Sequence, residues 1–176
     1  MRINNARGFA LIDVLFVCGI IGILSLIALP RLLLARQAAG SASAIGSMRT
    51  INSAQLTYAL TCGGGFYAPK LTVLGTPPVG STTSFISPTL GRADSINQSG
   101  YSIQLDATAF PGAPATCNNL AAGLTGRGFK AAADPLETEN RRYFAVNANG
   151  QIWEDQASLY AAMPEAGEPP SGHVLK

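Results

Sequence analysis

The chain has one histidine, His173, three positions before Lys176 and without a second metal-type ligand beside it. A Ser/His/Asp or Cys/His arrangement would have to recruit that imidazole from a loose final stretch, so nucleophilic catalysis of either kind is not expected. Basic residues are also scarce: 12 Lys and Arg stand against 10 Asp and Glu, and two of the twelve are Arg2 and Arg7. From Phe9 onward the signs balance at ten each, and from Thr61 to Lys176 seven basic residues face nine acidic ones. Such a chain offers no basic field for a nucleic-acid backbone. Gly63-Gly64-Gly65 is followed by no Lys-Ser/Thr and preceded by no strand pattern, which excludes a phosphate-binding loop. Glycine and proline are plentiful at 30 residues of 176, yet below the roughly 25–30% of low-complexity chains. No catalytic site, cofactor or metal is expected.

What is present is a long apolar run. Between Phe9 and Pro30 the sequence carries a single charge, Asp13. At about 1.5 Å per residue this run makes roughly 33 Å of helix, enough for a hydrocarbon core of about 30 Å. A carboxylate inside such a segment costs about 2.5–3.5 kcal/mol at the centre and less near an end, so its presence calls for a role. Cys18, Gly22 and Ser25 form a small-residue stripe at i, i+4 and i+7, which permits close helix approach or reflects the ordinary composition of membrane helices. Pro30 removes one helical donor and is expected to bend the rod. The flank Met1 to Gly8 is basic, as a cytoplasmic end should be, although Arg31 and Arg36 beyond the run leave orientation open on charge alone.

Gly8-Phe9-Ala10-Leu11-Ile12-Asp13-Val14-Leu15, with Ile20-Ile21-Gly22-Ile23-Leu24 and Ala28-Leu29-Pro30, resembles the N-terminus of the type IV pilin and type II secretion pseudopilin family. The resemblance covers about Arg7 to Leu60. It implies that a basic leader is cut after Gly8 by a prepilin peptidase, a membrane aspartyl protease, and that Phe9 is then N-methylated. The new amine would stand four residues before Asp13, one helical turn away. The family's fifth mature residue is usually Glu, and Asp13 is one methylene shorter. Three other N-termini compete. An ordinary secretory signal would use Ser41-Ala42-Ser43-Ala44, far beyond the run. A lipoprotein would use Cys18 with bulky Val17 before it. An uncleaved anchor would keep Met1.

Past Pro30 the pattern stays helical but turns amphipathic, with Ile45, Met48, Ile51 and Tyr58 at helical spacing. Thr61-Cys62-Gly63-Gly64-Gly65 ends the helix. A helix over 9–60 would be roughly 78 Å long, so its second half must project and be covered. Residues 66–100 read as a connecting loop with a short helix near Lys70 to Leu74. Tyr101 to Asp106 alternates as a strand. Asn149-Gly150 between Tyr143–Asn147 and Gln151–Glu154 is a hairpin signal. Asp134, Glu137 and Glu139 read as a solvated charged loop beside Arg141 and Arg142; a calcium loop, held by some relatives of the resembled family, is the weaker reading.

The expected fold is therefore α+β: a long N-terminal helix, half transmembrane and half projecting, packed on a small C-terminal antiparallel sheet of three or four strands, pilin-like. The expected divisions are a leader (1–8), a transmembrane part (9–30), a projecting helix (31–60), a loop-rich head (61–163) and a flexible tail (164–176). Cys62 and Cys117 either pair, closing a loop worth roughly 3–5 kcal/mol, or stay as buried thiols.

The resemblance implies a structural subunit. Its precursor would sit in the inner membrane with the head outside the cytoplasm, and would polymerise with copies of itself and other pilins into an extracellular or periplasmic filament. Gly8 and Phe9 would serve processing, and Asp13 and Pro30 assembly. Its partners would be the peptidase and an inner-membrane assembly platform. The alternative is a minor tip pilin or membrane-anchored binding module acting through the 76–92 loop and the sheet edge.

Overall fold

The computed structural model describes residues 11–138 and 140–175. The chain divides between Ala38 and Ala39 into two compact units. One helix, α1 (Leu11–Thr61), supplies all of the described first unit and opens the second. It continues through Pro30.

In the second unit α1 is followed by α2 (Leu71–Gly75) and six strands: β1 (Ser95–Gln98), β2 (Tyr101–Asp106), β3 (Lys130–Pro135), β4 (Tyr143–Asn147), β5 (Ile152–Asp155) and β6 (His173–Val174). The strands form one antiparallel sheet in sequence order. This is the α+β, pilin-like layout expected from the sequence, with six strands rather than three or four.

The helix lies on the sheet because their apolar residues share one side. Ala44, Met48, Ile51, Ala54 and Tyr58 recur three or four positions apart and are buried. They join Ile96, Ile103, Leu105, Ala131, Ala133, Phe144 and Val146 in one core. Successive strand residues point to opposite faces, so Ala132, Ala145 and Trp153 lie on the other face, where Leu159 and Met163 cover them. β3 is thus buried on both sides, and its run of alanines lets both layers come close.

Turns fall where backbone chemistry allows them. Ser99 and Gly100, with φ of 51° and 81°, make the two-residue link from β1 to β2. Gly150, with φ of 78°, donates its N–H to the Asn147 carbonyl at 2.9 Å in the predicted β4–β5 hairpin. Residues 164–175 are not the loose tail expected. Asn147 donates its side-chain amide to the carbonyls of Pro164 (3.0 Å) and Gly167 (2.7 Å), and β6 then pairs with β5.

Candidate functional site

Of the predicted processing residues, Gly8 and Phe9 lie outside the described residues, as does Glu139 of the acidic group. Asp13 and Pro30 are on α1. Sixteen large apolar side chains between Leu11 and Leu34 are exposed, Leu11 and Leu26 at 75%. At about 1.5–3 kcal/mol for each side chain that becomes buried, covering this face is worth tens of kcal/mol. α1 is the one helix among the described residues long and apolar enough to cross a membrane. Polar groups here are few, and the Ser25 hydroxyl donates to the Ile21 carbonyl at 2.8 Å. Asp13 stands in the first turn of α1, where a carboxylate suits the positive end of the helix dipole. The two ion pairs among the described residues, Lys70–Asp106 and Arg142–Glu154, are both in the second unit.

In the second unit, Cys62 and Cys117 are joined by a disulfide with Cα atoms 4.9 Å apart. The Cys117 N–H also donates to the Cys62 carbonyl at 3.3 Å. Buried amides do the rest of the fastening. Gln55, fully buried on α1, donates Nε2–H to the Ala68 carbonyl (2.8 Å) and accepts the Ala68 N–H (2.9 Å). Asn118 accepts from the Thr116 hydroxyl (2.6 Å) and donates to the carbonyls of Val73 (2.8 Å) and Thr76 (3.3 Å). At the other end of this part of α1, Gly40 meets the β1–β2 turn so closely that a Cβ would lie 2.6 Å from the Ser99 carbonyl oxygen. Beside it the hydroxyls of Ser41 and Tyr101 bond at 2.9 Å.

Of the acidic group, Asp134 and Glu137 are among the described residues. Asp134 belongs to β3 and accepts a hydrogen bond from Ser158; it is not in a loop. Burial pushes its carboxyl above the usual range, against the Ser158 bond, and its Oδ1 is buried without a partner. Among the described residues no three His, Cys, Asp or Glu side chains are grouped to hold a metal ion. His173 sits in β6, opposite Glu154. The hydrogen bond from Arg142 (Nε to Oε1, 2.6 Å) holds Glu154 below its ordinary value, and the Ser171 hydroxyl and Gln156 N–H do the same for Asp155. An open cleft of about 510 Å³ lies among Arg141, Arg142, Glu154, Asp155, Gln156 and His173. Its carboxylates are already engaged, and it holds no nucleophile–base pair.

Folding brings one aromatic group together: the Phe66 and Phe110 rings stack at 5.6 Å, and the Arg127 guanidinium lies 4.2 Å over Phe110. These residues are too far apart in sequence for spacing to reveal them.

The chain matches no protein-family model, no curated protein and no solved structure.

Proposed function

We propose that the chain is a pilin-type structural subunit, cut after Gly8, N-methylated at Phe9 and polymerised through the first half of α1. One observation carries the reading: a single helix with an unburied apolar half, bearing the lone carboxylate Asp13, and a second half buried by the chain's own head. An apolar helix with no partner in its own chain needs lipid or other such helices around it. In the membrane, lipid covers it; in a filament, the same helix of neighbouring copies does. Asp13, one turn from the amine that cleavage at Gly8 would create, then neutralises the N-terminus of an adjoining subunit. The precursor resides in the inner membrane with its head outside the cytoplasm, and meets the prepilin peptidase and the assembly platform there.

The test is the N-terminus of the protein isolated from its native membranes, by intact mass and terminal-peptide fragmentation. A chain starting at Phe9 with one added methyl group supports the reading. A start near Ile45 or an intact Met1 overturns it in favour of a secreted or simply anchored protein.

A further inference from the structure

The stretch after β5 is fastened in two unequal parts. Residues 157–167 are held by many contacts. Leu159 and Met163 pack on Trp153, Ala132 and Ala145; the Ala148 N–H donates to the Glu165 carbonyl (3.1 Å), and Asn147 holds Pro164 and Gly167. Pro169 is buried and ends this part. Residues 171–175 touch the sheet along the edge of β5. The Ser171 hydroxyl donates to Asp155 Oδ2 (2.6 Å), His173 and Val174 pair with Glu154 and Trp153, and the Leu175 N–H donates to the Ile152 carbonyl (2.8 Å). Both β6 side chains are exposed. A two-residue strand opens at low free-energy cost compared with a core strand.

The fit is nevertheless specific. Gly172, with φ of 91°, passes so near β5 that a Cβ would lie 2.9 Å from the Glu154 carbonyl oxygen. Asp155 matches Ser171, and Leu175 packs on the main core. Once released, this segment's best complement is a β5 edge, and a second copy carries the same edge. Exchange reproduces every contact, so no interaction is lost in passing from one chain to two. Pro169-Pro170 fixes φ at about −65° at two successive positions, so the link before the segment is stiff. From Pro170 to Leu175 the chain spans up to about 20 Å at roughly 3.3–3.6 Å per residue, which sets how near the second edge must be.

We propose that residues Ser171–Leu175 exchange between two copies of this chain, β6 of each completing the sheet of the other along β5. The exchange requires neither cleavage at Gly8 nor a filament, only two heads within reach, so its failure leaves the proposed function untouched.

The test uses the full chain with Cys18→Ser, in two versions with different affinity tags. One carries Glu154→Cys and the other His173→Cys, at directly paired positions. Expressed together and mildly oxidised, they should give mixed-tag dimers linked through positions 154 and 173. The expected level is at least tenfold above that of His173→Cys expressed with a partner lacking the 154 change. If Glu154→Cys loses its fold, seen as a changed Trp153 emission, Asp155→Cys with Ser171→Cys replaces the pair. Mixed dimers no more abundant than the control overturn the proposal, if one chain carrying both cysteines links to itself.

Discussion

Gln55 clamps α1 to the segment after it, and replacing it with leucine isolates what that clamp is worth. Leucine is similar in volume, so the packing around a fully buried side chain is kept while both hydrogen bonds to Ala68 are lost. The Ala68 N–H and C=O, themselves in a fully buried residue, are left without partners. Each such group costs about 1–3 kcal/mol, and the extra apolar burial of leucine returns about 1–2 kcal/mol. At the middle of these ranges the expected net loss is about 2.5 kcal/mol, a large share of the 5–15 kcal/mol typical of a domain. Equilibrium urea unfolding of the full chain in detergent measures it through Trp153, the only tryptophan, as a lower midpoint at unchanged slope. Gln55→Glu sharpens the test. Its carboxylate still accepts from Ala68 N–H but faces the Ala68 carbonyl with an oxygen; protonation restores a donor. Burial raises the folded-state pKa of such a Glu, so its deficit relative to wild type should shrink as pH falls through that value. A Gln55→Leu loss below about 0.5 kcal/mol, or a Glu variant whose deficit ignores pH, would refute the reasoning.

Other expectations follow from the same contacts. Reducing the Cys62–Cys117 disulfide, with its 55-residue separation, should destabilise the head by about 4 kcal/mol, read as a lower urea midpoint with reductant. Asp134→Asn should stabilise the protein at neutral pH. Burial raises the folded-state pKa of Asp134, so its contribution is least unfavourable below the unfolded value and worsens as pH rises through the folded one; the gain should fade in acid. A thermal melt series from pH 7 down to 3 checks this, and a gain that grew in acid would contradict it. Gly40→Ala forces a Cβ against the Ser99 carbonyl and should cost about 1–3 kcal/mol in the same unfolding assay. If the proposed pilin-type function holds, Asp13→Ala should leave cleavage intact and lower recovery in sheared filaments; normal recovery would remove Asp13 from assembly.

The sequence was most legible where one period governed a long stretch. Met48, Ile51 and Tyr58 announced the buried face of α1, Tyr101 to Asp106 alternated as a half-buried strand does, and Asn149-Gly150 marked its hairpin. β3 was hidden because Ala131, Ala132 and Ala133 are weak strand formers. Only the two packed layers around them explain their size. β1 was obscured by Ser95, Asn97 and Gln98, polar residues common in loops, with only Ile96 turned inward. β6 is too short for any periodicity. The polar fastenings of the candidate site were out of reach for another reason. Gln55, Asn118 and Asn147 look like surface residues until folding places backbone groups within reach of their amides. Cys62 and Cys117 were visible as candidates, but pairing is a statement about distance, which spacing alone does not supply.

The attachment of the head to its helix has a mechanical consequence. It is bolted at both ends of the α1 segment it covers, covalently through Cys62–Cys117 and by the Gly40–Ser99 contact and the Ser41–Tyr101 hydroxyl pair at the other end. A peeling force concentrates on one bond at a time and needs a free edge to start from; neither end provides one. Tension along the helix axis is therefore met in shear, spread over every contact between the two fastenings at once.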